Sequence, residues 1–558
     1  MHRSIPCGAL AAALLLPSTA PAGPQAVTAS HAMVVTEQRL ASQAGLDVLE
    51  QGGNAVDAAV AVGYALAVVD PCCGNVGGGG FMLIRMHDGR RRFIDFREKA
   101  PLRATRDMFL DAHGNVVPER SREGWLAIGV PGTVMGLDRA LSEYGTMPRP
   151  RVMAAAIRLA RDGFVLQPGD MIPFGGAAGR RAIRMLGGTR AHAGERIEQR
   201  NLARTLESIA NDGDAAFYHG WIARAVVDAA KRNGGLLSMR DFADYAVDES
   251  QPLRCTYHGL EILSAPPPSS GGVTLCEILN IVAPYPLAQW GWHSVRETHY
   301  LVEAERRAYA DRNADLGDPA FVRDPVRALL DPSYAARLRA EIDPVRATPS
   351  VHVKPGLQLN VHENDDTTHY SIVDAYGNAV AVTYTINDWF GAGVIAGDTG
   401  FFLNDEMDDF TSKPGAPNMY GLVQGVANDV EPGKRPLSSM APTIVLHDGK
   451  LAMVTGSPGG SRIITTALET MLNVFDFGMN AQAAVDAPRI HMQWLPDWID
   501  YEPGALGDAT IAALRGEGYA FKEIPYWGSA QVIVVDPASG LLDGGTDRRS
   551  PTGAALGY

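Results

Sequence analysis

Before residue 347, hydrophobic residues recur at helical spacing through much of the chain. The segment Ala55 to Val69 (AVDAAVAVGYALAVV) is apolar for 15 residues with Asp57 inside it, which predicts a buried helix too short to span a bilayer. SQAGLDVLEQGG ends at Gly52-Gly53, a common signal for the end of a helix. The same spacing of apolar residues predicts helices in MAAAIRLARDGF, LARTLESIANDG and VRETHYLVEAERRAYADR.

Alternating apolar and polar residues predict strands, which interrupt these helices and dominate from Thr367 onward. Hairpin signals occur at Asp88-Gly89, Tyr376-Gly377-Asn378 and Asp448-Gly449, and AQVIVVDPASGLLDGG predicts another hairpin. Residues 347–366 are polar, contain Pro and Gly, and show no clear period, which predicts an exposed loop or linker. The pattern as a whole predicts an α+β fold of layered helices and mostly antiparallel strands.

Length and charge narrow the class of protein. A chain of 558 residues predicts two to four domains or one large intertwined domain, and its 46% apolar content is enough for a large core. A formal net charge of −14 argues against nucleic acid or an anionic membrane as the main partner. The charge places no limit on small-molecule substrates.

The first residues have the layout of a secretory signal peptide. A short basic start is followed by an apolar stretch from Ala9 to Leu16 and then by small residues that end at Ala22. A buried first helix is less favoured, because Pro17 and Pro21 interrupt it. We expect residues 1–22 to be removed and the protein to be periplasmic or secreted, with no membrane span afterwards.

The cysteines and histidines give no recognisable metal motif. Export would permit disulfides, but the adjacent Cys72 and Cys73 would form a strained pair, so we expect small buried side chains with at most one bridge. No C-x-x-C or His/Cys cluster occurs, and the sequence therefore predicts no metal site. The cysteines of the full chain are Cys7, Cys72, Cys73, Cys255 and Cys276.

Two glycine runs are candidates for anion sites. The run from Gly74 to Phe81 (GNVGGGGF) lacks the Lys-Ser/Thr of a phosphate-binding loop and precedes a strand, so a close-packed backbone turn is favoured. The run from Gly456 to Arg462 (GSPGGSR) follows a strand and precedes a helix-like segment. Backbone N–H groups at such a turn can bind an anion or oxyanion, and a purely structural turn is an equal alternative.

Thr367 is a candidate nucleophile of an unusual kind. The chain has no G-x-S-x-G sequence, and its 14 histidines are not grouped at ligand spacing. A threonine whose own α-amino group is freed by chain cleavage can use that amine, with a reference pKa of about 7.7–8.0, as its base. Thr367 follows the polar linker and starts a strand, where such a cut would be made. Taken alone, the residues favour the simpler alternative, two β-branched residues that begin a strand.

The motifs together resemble those of the γ-glutamyltranspeptidases, or glutathione hydrolases, of the N-terminal-nucleophile hydrolase superfamily. The resemblance covers nearly the whole mature chain. It implies a four-layer αββα sandwich formed by two chains cut from one precursor, with a large subunit of residues 23–366 and a small subunit of residues 367–558. The motifs, in chain order, are GGNAVDAAVAVGYALAVVDP, GNVGGGGFM, DFREKAP, GVPGTVMG, PPPSSGG, TTHYSIVD, GNAVAVTYTIN, LNDEMDDF, KRPLSSMAPTIV and GSPGGSRIITT.

The resemblance also implies roles for particular residues. Thr367 would be the nucleophile, Thr385 would orient it, and Gly459 and Gly460 would donate N–H groups to the oxyanion. The α-carboxylate of the substrate would be held by Arg97, Ser438 and Ser439, and the α-ammonium by Asn387, Glu406 and Asp409.

The implied reaction transfers a γ-glutamyl group from glutathione or a related compound to water, an amino acid or a peptide, without metal or organic cofactor. Tyr420 would gate a lid loop within residues 413–425. A cephalosporin (glutaryl) acylase of the same fold is the main alternative, and Asp409 disfavours it because a glutaryl group has no ammonium to bind. An unprocessed relative with a binding role is a third hypothesis that no residue favours.

Overall fold

The computed structural model describes residues 25–188, 191–355, 367–414, 416 and 425–558. The predicted signal peptide, Asp366 and the predicted lid residue Tyr420 lie outside the described residues. The predictions about them therefore stay predictions.

The strands of the described chain are β1 Val27–Ala29, β2 Met33–Thr36, β3 Gly79–Arg85, β4 Arg91–Asp95, β5 Phe164–Val165, β6 Arg196–Ile197, β7 Asp248–Ser250, β8 Leu253–Tyr257, β9 Leu260–Ser264, β10 Thr368–Val373, β11 Ala379–Thr385, β12 Thr443–His447, β13 Lys450–Gly456, β14 Ile490–His491, β15 Ile499–Tyr501, β16 Phe521–Glu523, β17 Gln531–Val535, β18 Leu542–Thr546 and β19 Ala554–Gly557.

The helices are α1 Arg39–Glu50, α2 Ala55–Val69, α3 Glu119–Arg122, α4 Thr133–Tyr144, α5 Arg149–Val152, α6 Ala154–Asp162, α7 Ala177–Met185, α8 Arg200–Asp212, α9 Asp214–Tyr218, α10 Trp221–Arg232, α11 Met239–Ala243, α12 Gly271–Val282, α13 Leu287–Trp290, α14 Val295–Asp315, α15 Val326–Leu329, α16 Pro332–Ala340, α17 Arg462–Phe475, α18 Ala481–Asp486 and α19 Asp508–Gly516.

Two antiparallel sheets form the centre of the molecule. One has the strand order β1-β18-β17-β13-β12-β9-β8, and the other has the order β19-β2-β10-β11-β3-β4-β7. Side chains such as Val35, Ile444 and Ile533 form an apolar layer between them. Helices including α1 and α2 cover the outer face of the sheet that contains β10, and α12, α14 and α17 cover the outer face of the other sheet. The result is the predicted four-layer αββα arrangement.

Most local predictions are confirmed, because they depend on short-range patterns. The apolar segment Ala55–Val69 is a helix buried along its whole length, and Asn54 caps it by accepting hydrogen bonds from the N–H groups of Val56 and Asp57. The three turn signals join β3 to β4, β10 to β11 and β12 to β13, and β17 pairs with β18 as expected.

Two features refine the expectations from the sequence. Helical spacing of apolar residues predicts α14, yet nearly all of its side chains are buried, charged ones included.

Among the described residues, Cys255 and Cys276 form one disulfide, with Cα atoms 5.9 Å apart. Within the described residues, no helix is both long and apolar enough to cross a membrane.

Candidate active site

Thr367 lies immediately before β10, an interior strand of its sheet. β10 pairs with β2 on one side and β11 on the other, and Thr368 lies opposite Tyr384. Continuing this register by one residue brings Thr367 next to Thr385, the last residue of β11. Thr367 is 7% exposed. A hydroxyl at the end of a paired interior strand has little freedom to move, which suits a nucleophile.

A cavity of about 720 Å³ gives access to Thr367. Pro458 and Gly459 of the GSPGGSR motif line the same cavity. The two sheets meet closely beside it, because a Cβ added to Gly456 at the end of β13 would lie 2.4 Å from the His369 ring of β10. The threonine and the glycine turn, 92 positions apart in the printed sequence, are thus brought together by the stacking of the two sheets.

The glycine turn has the backbone of an oxyanion site. Gly459 has φ +128° and Gly460 has φ +52°, values that L side chains rarely adopt. Their carbonyls accept hydrogen bonds from the N–H groups of Arg462 and Ile463, at 3.1 and 2.9 Å, as α17 begins. Neither glycine N–H donates to another described residue. These N–H groups and the positive end of α17 could therefore stabilise a negative oxygen in the cavity.

Thr385 is held by close backbone contacts. Its carbonyl oxygen would lie 1.9 Å from a Cβ added to Gly78, so only glycine fits there. This confirms the close-packed turn predicted for the GNVGGGGF run. The Thr385 hydroxyl accepts a hydrogen bond from the N–H of Asn387 at 2.8 Å. Asn387 has φ +73°, and its side-chain amide donates to the Asp405 carbonyl at 3.2 Å.

Arg97, Glu406 and Asp409 form one buried charge cluster. One terminal nitrogen of the guanidinium contacts Glu406 and the other contacts Asp409, and all three side chains are 5% exposed or less. Glu98 lies 3.5 Å from the same guanidinium. Planar guanidinium is well suited to bridging two carboxylates in this way. The family resemblance implies one substrate pocket for these residues, and the structure brings them together, paired with one another.

Burial changes how readily the groups of this cluster ionise. Burial raises the pKa of Glu406 and Asp409, and the Arg97 guanidinium only partly opposes this. Burial by itself would lower the pKa of Arg97, but Glu406 and Asp409 outweigh it, and the pKa rises above its usual value. Glu406 and Asp409 therefore keep Arg97 charged, while burial favours the neutral form of each carboxyl group.

Ser438 and Ser439 are positioned by the PPPSSGG motif. The Ser438 carbonyl accepts the N–H of Ser270 at 2.6 Å, and the Ser438 N–H donates to the Pro268 carbonyl at 2.8 Å. The Ser438 hydroxyl accepts the N–H of Met440 at 3.1 Å. These bonds fix the backbone that carries both serines, which explains a motif to which the sequence assigned no role.

Arg312 is a site residue that the sequence did not single out. It comes from α14, is fully buried, and donates to the Ser439 hydroxyl at 3.1 Å. Burial lowers its pKa to about 10, and the nearby Asp409 acts in the opposite direction. Helical periodicity assigns a charged residue in such a segment to the solvent face, so no local signal identified it.

The charge cluster adjoins the nucleophile from the side of β3. Gly79 lies opposite Thr385, and a Cβ added to Gly79 would lie 2.6 Å from a Glu98 carboxylate oxygen. Arg97 and its partners do not line the cavity that contains Thr367. The predicted site residues thus form two adjoining groups, a reactive one at the cavity and a charged one buried beside β3.

Comparisons with known proteins agree on one family. Residues 41–557 match the family described as gamma-glutamyltranspeptidase. A glutathione hydrolase proenzyme of Pseudomonas sp. (strain A14) is 52% identical over 95% of each chain, and one of Escherichia coli (strain K12) is 48% identical over 95% of this chain and 93% of the relative. Among solved structures, a cephalosporin acylase from Bacillus halodurans superimposes with a TM-score of 0.82 and 26% identity, over 98% of this chain and 99% of that chain.

Proposed function

The chain belongs to the γ-glutamyltranspeptidase family, and on this premise we propose that Thr367 is the nucleophile released when the precursor cuts itself. The protein is a γ-glutamyltransferase and glutathione hydrolase of the N-terminal-nucleophile class, made as a proenzyme. The observation that carries the residue assignment is the cavity shared by Thr367 and Gly459. The cut falls between Asp366 and Thr367 and separates residues 23–366 from residues 367–558.

The first half of the reaction follows from groups at this cavity. The freed α-amine of Thr367 takes the proton from its own hydroxyl, and the oxygen attacks the γ-carbonyl of the donor. The N–H groups of Gly459 and Gly460 stabilise the resulting oxyanion. The amine of the leaving peptide receives the proton as the C–N bond breaks, which leaves a γ-glutamyl ester on Thr367. Thr385 orients the nucleophile from the neighbouring strand.

The second half consumes the ester. Water, an amino acid or a peptide gives up a proton to the α-amine of Thr367 and attacks the ester carbonyl, through a second oxyanion at the same glycines. The Thr367 hydroxyl is regenerated, and the product is glutamate or a new γ-glutamyl compound. This chemistry uses acid–base groups of the chain alone and requires no cofactor.

The buried charge cluster supports recognition of an amino acid head group. An α-carboxylate would take the guanidinium of Arg97, with Ser438 and Ser439 donating hydroxyl groups. An α-ammonium would take Glu406 and Asp409, with Asn387 beside them. A zwitterion can thus replace the internal ion pairs without leaving a buried charge uncompensated, which is the condition for binding in such a site.

A glutaryl acylase activity is the second candidate, and the structural match to a cephalosporin acylase is the observation in its favour. The identity of 26% to that protein compares with 52% to a glutathione hydrolase proenzyme. Glu406 and Asp409 also disfavour a glutaryl group, because it would leave both carboxylates without an ammonium partner. Export to the periplasm or the medium is part of the proposal and depends on removal of residues 1–22.

The intact mass of the purified protein tests the proposal. We expect two chains, of which the smaller begins at Thr367. Thr367→Ala should give one folded, uncut and inactive chain, whereas Thr367→Ser, the matched control that keeps a hydroxyl, should still be cut. Cleavage of the Ala variant at the same bond would contradict the assignment of the nucleophile. Faster turnover of a glutaryl amide than of γ-glutamyl-p-nitroanilide would favour the acylase.

A further inference from the structure

Asp70, Cys72 and Cys73 form a cluster of potential metal ligands in the wall of the cavity that contains Thr367. One carboxylate oxygen and the two sulfur atoms all lie within 4.8 Å of one another. Cys72 and Cys73 are both thiols in this structure, and the Cys72 thiol donates to an Asp70 oxygen at 3.1 Å. The sequence pattern did not indicate this cluster, because the chain contains no C-x-x-C motif.

We propose that these three residues bind a thiophilic divalent cation of the zinc type, and that the bound ion inhibits the enzyme. Two thiolates and one carboxylate are a ligand set that zinc prefers, and three protein ligands leave the fourth tetrahedral position for water or a ligand from the cavity. Metal–sulfur bonds of about 2.3 Å place tetrahedral ligand atoms roughly 3.8 Å apart. Side-chain adjustments of an ångström or less would bring the three ligand atoms to that spacing.

The backbone holds this turn in a defined shape. The Asp70 carbonyl accepts the N–H groups of Cys73 and Gly74, at 3.1 and 2.9 Å. The Cys72 carbonyl accepts the N–H of Phe390 at 3.0 Å, and the Cys73 carbonyl accepts the Asn75 amide at 3.2 Å. The ligands therefore sit on a rigid turn, which reduces the ordering cost of binding an ion.

The local charges favour a cation at this position. The turn follows the C-terminal end of α2, where the helix dipole is negative. Among the described residues Asp70 takes part in no ion pair, although arginines line the same cavity. Each of those arginines is paired with a different carboxylate, as Arg462–Asp500, Arg548–Asp486 and Arg549–Glu502.

Inhibition follows from the shared cavity, and this half of the proposal rests on the proposed function. An ion held by Cys72 and Cys73 would occupy the wall of the space through which substrates reach Thr367. Its open coordination position would bind water or a substrate thiolate there. Either outcome slows acyl transfer at Thr367 without altering Thr367 itself.

Metal binding is measured first, on reduced, metal-free Thr367→Ala protein, so that the result does not depend on catalysis. Zn²⁺ titrated in competition with a chromophoric chelator should bind with one equivalent. Co²⁺ should give a near-ultraviolet sulfur-to-cobalt charge-transfer band. Cys72→Ser, Cys73→Ser and Asp70→Asn should each weaken binding at least about tenfold. Asp88→Asn is the matched control, because Asp88 is an exposed aspartate that does not line this cavity, and its loss should leave the affinity unchanged.

Inhibition is then measured on the cleaved enzyme, with each variant compared with its own metal-free rate. Zn²⁺ should slow γ-glutamyl-p-nitroanilide turnover at the concentration that fills the site, and the Cys72→Ser/Cys73→Ser double variant should resist. Unchanged zinc affinity in that double variant, or a Cys72–Cys73 disulfide that reductant does not open, would overturn the site. Full turnover by the zinc-loaded enzyme would overturn the inhibition alone. Failure of the proposed function would instead appear as an uncut or inactive metal-free protein.

Discussion

Replacing Arg97 by lysine separates substrate binding from self-cleavage. Arg97 reaches Glu406 with one terminal nitrogen and Asp409 with the other, and it also donates to the Pro436 and Leu437 carbonyls at 3.3 Å. A lysine ammonium keeps the charge but cannot present a planar fork to a carboxylate. Lysine is preferable to alanine, which would leave two carboxylates buried without their cation at a cost of about 3–5 kcal/mol.

The expected effect is a loss of affinity for the α-carboxylate. One charge-assisted hydrogen bond is worth about 1.5–3 kcal/mol, so the KM for a γ-glutamyl donor should rise roughly 10- to 150-fold. The cut before Thr367 should proceed as in the parent, because Arg97 does not line the cavity that contains Thr367. A large rise in KM with normal self-cleavage is the result expected if Arg97 binds the α-carboxylate of the substrate.

Saturation curves with γ-glutamyl-p-nitroanilide and intact masses give the two readouts. Arg91→Lys is the matched control, because Arg91 also makes a two-nitrogen contact with a carboxylate, Glu261, at 2.7 and 2.9 Å, but at a partly exposed position on β4. Exposed ion pairs contribute about 0–1 kcal/mol to stability, so Arg91→Lys should fold as the parent does. Its KM should be unchanged, because Arg91 lies outside the charge cluster. An unaltered KM in folded, cleaved Arg97→Lys protein would refute the role of Arg97 in binding the α-carboxylate. An uncut chain would show that Arg97 is needed for self-cleavage instead.

Two further predictions test the turn and the core. Gly460→Ala should lower kcat by up to the 10²–10³-fold cost of one oxyanion donor, because a non-glycine residue at φ +52° is strained and shifts its N–H. Gly504→Ala is the control: Gly504 has φ +83° and nothing near its Cβ, so this variant should lose stability but keep kcat. Equal losses of kcat in the two variants would contradict the oxyanion role of Gly460. Burial lowers the pKa of His369 to about 3, so its stabilising effect is complete above the unfolded pKa of about 6.5 and is lost as the pH falls towards 3. The thermal midpoint of the parent should therefore fall more between pH 7 and 5 than that of His369→Gln, and parallel curves would refute this.

Local pattern was enough to predict much of the fold. Val56 and Leu66 lie in a long apolar run broken only by Asp57, and that run is the buried helix α2. The turn at Asp448-Gly449 was readable because Asp448 and Gly449 both adopt positive φ, which few residue types tolerate. The α14 segment shows the limit, because spacing cannot tell a charged residue on a solvent face from one buried against another layer.

Some residues of the candidate site have a local sequence signal, and others have none. Gly459 and Gly460 were recognisable from a strand-to-helix turn, but as an equal choice between an anion site and a structural turn. Thr367 taken alone is explained more simply as the start of a strand, and only the full set of motifs indicates a nucleophile. Arg312 and the Asp70–Cys72–Cys73 cluster carried no local signal.

The sequence by itself determined the helices, the hairpins and, through its motifs, the family and the kind of chemistry. The tertiary structure decided which of these residues meet. Sheet stacking brings Gly456 against His369 and so places the glycine turn beside Thr367. Burial pairs Arg97 with Glu406 and Asp409, which are more than 300 positions away. The physical reason is that backbone preference acts over a few residues, whereas desolvation and charge pairing depend on neighbours that only the packed layers supply.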